Sequence, residues 1–214
     1  MFIASTGWYR KMTRNRSEKM ANAIVRLIPA SSRILDFGCG NGLMSEALIR
    51  MKPDIEIEAI DVIRDQNLNQ EFWSSDTDQP IAKHKTKHHF QVYDGTNIPF
   101  PDRYFDFAIV CATLHHTPSP ENILGEISRV VKLGGSVIVI EEMFHNQIDR
   151  VWISAQDWIF NKLKKGVPVP LQFRSHKHYL AEFKKNNFVI KYESFIRPGF
   201  PFMHHYVYQL EVRS

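Results

Sequence analysis

The chain has 214 residues and a formal net charge of +4, with 43% hydrophobic and 23% charged residues. That suits one globular domain with room for a small insertion or cap, and no window of about eighteen apolar residues exists to cross a membrane. The first residues, MFIASTGWYRKMTRNRSEKM, carry their charges after their apolar residues and do not read as a signal peptide. Cys39 and Cys111 are the only cysteines, so a reduced, cytoplasmic setting is expected.

In chain order, residues 17–28 place Met20, Ile24, Leu27 and Ile28 at helical spacing before Pro29. Residues 33–37 form a short buried strand, and residues 42–51 the next helix, broken by Pro53. Residues 55–62 make a second strand that closes on Asp61, and the polar residues 64–88 read as a loop or a loosely held helix. Strands are expected at 89–93 and 105–111, separated by the turn chemistry of DGTNIPFPDRY. Residues 120–133 form a helix that ends on Gly134-Gly135, and 136–141 a strand of β-branched residues. An amphipathic helix over 148–163, a helix over 176–185 and strands over 188–195 and 206–212 complete the chain. Strands alternate with helices through the first five strands, which predicts a doubly wound, mostly parallel sheet closed by an antiparallel C-terminal hairpin. In such a sheet ligands bind outside the C-terminal strand ends, so the residues after each strand matter most.

After the first strand comes ILDFGCGNG, with Asp36 followed by glycine at positions 38, 40 and 42. Alternating glycines allow a tight turn and let a ligand approach the main chain. The dinucleotide fingerprint would need glycine where Leu43 stands, and no Gly-Lys-Ser/Thr follows to make a phosphate loop. After the second strand, Asp61 can accept both hydroxyls of a ribose, or can be a solvated strand end. After the third, Asp94-Gly95 is a turn in isolation, and beside a nucleoside it can take an adenine amino group. Three acids and a glycine turn at three successive strand ends say more together than any one of them.

With these residues the chain resembles the class I S-adenosylmethionine-dependent methyltransferases, and within them the small-molecule group of ubiquinone and menaquinone methyltransferases. The resemblance rests on ILDFGCGNG, on EAIDV at 58–62, on VYDGTNIPFPDRYFDFAIVCATLHH at 92–116 and on EISRVVKLGGSVIVIEE at 126–142. It implies a Rossmann-like seven-stranded sheet in a single domain, 1–214, with 146–172 as a substrate-cap insertion. It implies S-adenosyl-L-methionine as cofactor. Gly38, Cys39 and Gly40 would face the methionine part, with Asp36 near the sulfonium. Asp61 would hold the ribose, Val62 the adenine face, Asp94 and Gly95 the adenine edge. Cys111 and Ala112 would line the methionine side. Trp8 and Tyr9 would pack on the surface or fold over the cofactor.

Methyl transfer needs a general base only when the acceptor must lose a proton. The candidates near strand ends are His115, His116, Glu141, Glu142 and His145; one of the two glutamates faces the site. No metal is expected. The segment after the fifth strand and PGFPFMHH at 198–205 would form the substrate mouth, with Trp152 and Phe202 on the acceptor side. Apolar residues beside Lys162, Lys164 and Lys165 suit a small, apolar or lipid-like acceptor taken from a membrane surface. The basic clusters at 10–19, 83–87 and 162–165 fit a solvated face and permit an RNA target, but CATLHH stands where a nucleic-acid enzyme would want Asn/Asp-Pro-Pro-Tyr/Phe. A domain that binds cofactor or partner without turnover is the remaining reading.

Overall fold

The computed structural model describes residues 7–64, 88–144, 146–162, 173–196 and 205–214. The loop expected at 64–88 lies outside the described residues except at its ends. So do His145 and Phe202, which were assigned to the site.

The elements are α1 (Gly7–Ile24), β1 (Arg33–Phe37), α2 (Leu43–Met51), β2 (Glu56–Asp61), β3 (His88–Val92), β4 (Phe105–Cys111), α3 (Pro120–Val130), β5 (Val131–Glu142), α4 (Gln147–Lys162), α5 (His176–Lys185), β6 (Phe188–Ile196) and β7 (His205–Val212). The sheet has seven strands in the order β3-β2-β1-β4-β5-β7-β6. The first five pair in parallel, and β7 inserts antiparallel between β5 and β6. Strand order reverses between β1 and β4, which opens a crevice at their C-terminal ends.

Both faces of the sheet are covered. On one, Leu35, Phe37, Ala108, Val110, Val137 and Val139 pack with Ile123, Leu124 and Ile127 of α3 and with Tyr179 and Phe183 of α5. On the other, Ile34, Phe107, Ile109, Ile138 and Ile140 pack with Met20, Ala21 and Ile24 of α1 and with Ala47 and Leu48 of α2. Neighbouring residues of β4 thus feed opposite layers, the period-2 alternation of a pleated strand. Both layers are apolar, so the central strands read as unbroken apolar runs.

Two boundaries differ from those read in the sequence. α1 begins at Gly7, ten residues before the expected start, because its first turns mix Trp8, Tyr9 and Met12 with Lys, Arg and Asn and show no apolar period. α3 ends at Val130, and Gly134-Gly135 lies inside β5 and not at a helix end. There the pairing jumps from Phe105 opposite Val131 to Phe107 opposite Ser136, and Gly134 at φ +76° takes up the extra residues. A separate finding concerns α4. Its apolar stripe points away from the body: Ile148 is 82% exposed, Val151 69% and Trp152 52%, while Ile153 is buried.

This placement gives a direct test. Ile153→Ala should cost about 2–4 kcal/mol in urea unfolding as a buried truncation. Val151→Ala, two residues away, should change stability by less than about 0.5 kcal/mol. The reverse ranking would mean that α4 is turned the other way.

Candidate functional site

A cavity of about 570 Å³ opens at the crevice where strand order reverses. It is walled by the loops after β1, β2, β3 and β4 and by one side of α1. All ten residues that the sequence assigns to a cofactor line it: Asp36, Gly38, Cys39, Gly40, Asp61, Val62, Asp94, Gly95, Cys111 and Ala112.

Gly38, Gly40 and Gly42 all have positive φ, at 68°, 57° and 70°. Each turn of this loop therefore uses the left-handed region that glycine enters without strain. Gly38 lines the cavity and also serves a packing purpose. A Cβ there would stand 2.1 Å from Thr113 Cγ2. At Gly40 a Cβ would meet nothing within 4 Å, so Gly40 is the position that leaves space open. The loop is hung on β2: Gly38 and Cys39 donate their N–H groups to the Ile60 carbonyl, at 2.8 and 3.2 Å. Gly40 donates its N–H to Asp61 Oδ2 at 2.8 Å.

The three strand-end acids differ in state. Asp36 is buried, and desolvation pushes its pKa up to about 6, against a hydrogen bond donated by Ser45 and with help from the nearby Asp61. Asp94 is exposed and lies at about 2, because Asn97 N–H, Thr96 N–H and the Thr96 hydroxyl all donate to it. The turn that Asp94 forms is therefore real, and the same residue still borders the cavity. Burial pushes the Cys111 thiol up to about 12, so it stays protonated, and its Sγ donates to Met20 Sδ at 3.4 Å. Burial likewise raises Tyr93, whose ring meets Phe37 edge-on.

α1 supplies what the sequence did not announce. Thr13, Arg16, Ser17 and Met20 line the cavity, and Arg16 is the one Lys or Arg among its described lining residues. The Arg16 guanidinium donates to His205 Nε2 of β7 at 3.0 Å. Arginine has no acceptor, so this bond requires the tautomer of His205 with its proton on Nδ1.

The expected bases separate cleanly. Glu141 has no exposed surface; its Oε1 accepts the N–H groups of Thr113 and Leu114, each at 2.7 Å, and its Oε2 meets His115 Nδ1 at 2.7 Å. His115 is buried and stacks on Phe173. Both are built into the wall, and neither lines the cavity. Glu142 stands 3.7 Å from His205 and does not line the cavity. His116 does line it. Trp152 is not brought to the cavity; it lies on the outer side of α4.

With this geometry in view, comparison with known proteins is informative. A family described as a methyltransferase domain matches residues 35–139. The chain is 28% identical to a 27-O-demethylrifamycin SV methyltransferase of Amycolatopsis mediterranei, over 55% of this chain and 42% of the relative. It is 32% identical to the ubiquinone/menaquinone biosynthesis C-methyltransferase UbiE of Cupriavidus taiwanensis, over 51% of this chain and 42% of the relative. The chain thus spans about half the length of the curated relatives it matches. Among solved structures, the YcgJ protein of Bacillus subtilis superposes with a TM-score of 0.69 at 16% identity, covering 92% of this chain and 99% of that one. A Burkholderia thailandensis 1,6-didemethyltoxoflavin N1-methyltransferase, solved with S-adenosylhomocysteine, superposes at 0.67 and 13% identity, covering 94% and 80%. At those identities the likeness concerns the fold.

The wall can be tested without any ligand. Glu141→Ala strands two buried N–H groups and an imidazole, and should destabilise the protein by about 3 kcal/mol or more in urea unfolding. His116→Ala should stay within about 1 kcal/mol of the parent. Equal effects would remove the distinction drawn between wall and lining.

Proposed function

We propose, since this chain belongs to the class I S-adenosylmethionine-dependent methyltransferases, that it transfers a methyl group from S-adenosyl-L-methionine to a small, largely apolar acceptor. One observation carries the cofactor half: a single cavity gathers three carboxylates from three strand ends and one guanidinium from α1. That charge pattern is complementary to a nucleoside joined to a cationic centre and a terminal carboxylate.

The residues present fit such a ligand. Asp61, already positioned by Gly40 N–H, would accept the ribose hydroxyls. Val62, 40% exposed, offers an apolar face to adenine, and Asp94 and Gly95 its edge. Gly40 leaves the main chain uncovered for the methionine part. Arg16 would take the terminal carboxylate and Asp36 would balance the positive sulfur. When bound, the cofactor supplies a methyl group already activated on sulfonium sulfur. The protein's share is alignment and the exclusion of water, in which α1 closes the cavity over the strand ends. His116 is the lining group with the chemistry to take a proton from a hydroxyl acceptor.

The acceptor half rests on α4. A helix that exposes Ile148, Val151, Trp152 and Trp158 and runs in sequence into Lys162-Leu163-Lys164-Lys165 suits contact with an anionic membrane surface. An apolar acceptor held in that surface would then be delivered beside the cavity. Residues 146–172 are on this reading the substrate-side insertion of the single domain.

Two measurements test this. S-adenosylmethionine at about a hundred times its dissociation constant should stabilise the fold by roughly 2.7 kcal/mol, whereas nicotinamide dinucleotides should not. Calorimetry across pH 5–8 should show its affinity falling below about pH 6, where Asp36 takes up a proton. A cationic ligand favours the ionised carboxylate, so binding there must first release that proton. The same raised pKa makes this group's contribution to the empty fold decline as pH rises from about 4 to 6. Asp36→Asn should flatten the affinity profile; a parent profile that is already flat would reassign the sulfonium's neighbour. For the acceptor, labelled methyl transfer to fractionated cell extract, lipids included, should identify the product. Trp152→Ala and Phe202→Ala should then slow turnover of vesicle-borne acceptor with cofactor affinity unchanged. Parent-like turnover by both variants would remove α4 from the acceptor path.

A further inference from the structure

We propose that Glu121, His178 and Glu182 form a divalent-cation site that ties α3 to α5, separate from the methyl-transfer cavity. His178 and Glu182 are one turn apart on α5 and so share a face. Glu121 reaches them from the first turn of α3. One donor atom from each lies within 4.8 Å of the other two, and all three residues are partly buried. None of the three lines the main cavity.

A second observation points to a missing positive partner. Glu182 Oε2 has no solvent contact and accepts no hydrogen bond. A buried carboxylate oxygen normally finds a donor, because its desolvation is otherwise uncompensated. The contacts that do exist in the cluster are long. His178 Nε2 stands 3.3 Å from Glu121 Oε1, and Arg174 Nη2 stands 3.7 Å from the same oxygen. Neither reaches Glu182.

Donor chemistry narrows the ion. One imidazole and two carboxylates suit Zn²⁺ or Mn²⁺, with water completing the shell; the set lacks the many oxygens that Ca²⁺ takes and the thiolates of softer sites. α3 starts at Pro120, immediately after the cavity-lining Thr117 and Pro118. A cation at this place would brace that end of the cavity wall against α5 without touching a reactant. Arg174 is its competitor for Glu121.

The test uses the full chain, stripped with a chelator and titrated with Co²⁺ and Zn²⁺. One equivalent of Co²⁺ should bind with a visible d–d absorption band, be displaced by Zn²⁺, and raise the melting temperature. His178→Ala and Glu182→Gln should weaken binding at least tenfold while S-adenosylmethionine affinity is retained. Arg174→Ala should tighten it. Glu182→Gln keeps the side chain's shape, so it stands as the informative variant should His178→Ala fail to fold. Absence of a bound equivalent in the parent, or binding unchanged in Glu182→Gln, would reduce the cluster to an ion-pair network. Cofactor binding is read separately, so this outcome leaves the methyltransferase reading untouched.

Discussion

The buried carboxylate of Glu141 is the interaction from which the cavity is built. It sits near the C-terminal end of β5 and fixes the turn after β4 through Thr113, Leu114 and His115. Thr113, so fixed, lies against Gly38, and its hydroxyl is shared between the carbonyls of Cys111, at 2.9 Å, and Gly38, at 3.2 Å. Gly38 and Cys39 then hang on Ile60 of β2, and Gly40 points its N–H at Asp61. Four strand ends are linked in this way across the reversal of strand order. The network has no solvent to fall back on at Glu141, and a half-satisfied buried network is worse than none. The carboxylate of Glu141 is thus occupied by structural hydrogen bonds and does not line the cavity.

The electrostatics of the cavity follow from burial more than from charge count. Asp36 and Asp61 share the space, and desolvation raises the pKa of the deeper one, Asp36, to about 6. Asp94 is exposed and its turn donors keep it ionised. One arginine faces them. The empty site therefore carries an acid that is costly to ionise, and a cationic ligand relieves that cost. Above pH 6, keeping Asp36 ionised works against the fold by roughly 2–3 kcal/mol, about two pKa intervals of 1.36 kcal/mol each. Ligand binding energy and fold stability are linked through this side chain.

The cofactor half was legible because its requirements are local. Three left-handed turns demand three glycines at alternate positions, and acids at strand ends follow directly from finding the strands. The rest needed tertiary information. Residues 10–19 of α1 are mostly Lys, Arg and other polar residues, so no apolar period announced that Arg16 would reach the cavity. β5 is buried on both faces, so sequence could not tell that Glu141 would be bonded to the turn after β4 and Glu142 would stand beside His205, neither lining the cavity. The packing demand at Gly38 was not legible, since the crowding there comes from Thr113, 75 positions away. Glu121 and His178, 57 positions apart, meet only after α3 and α5 pack.

α4 reverses the usual logic of an amphipathic helix. In a globular domain the apolar stripe faces the core, and this stripe is as regular as any in the chain. Yet its members are exposed and Ile153 alone, among the described apolar residues of the helix, is buried. Burial of a single isoleucine does not account for the apolar pattern, because Ile148, Val151 and Trp152 leave their area in water at about 25 cal/mol per Å². Such a stripe is intelligible when its apolar partner is outside the chain. The sheet thus supplies a cavity suited to a nucleoside-bearing ligand from residues that strand geometry fixes. On the function proposed above, recognition of the acceptor would fall to α4, which lies outside the sheet, so that the same fold could serve different acceptors by changing that element.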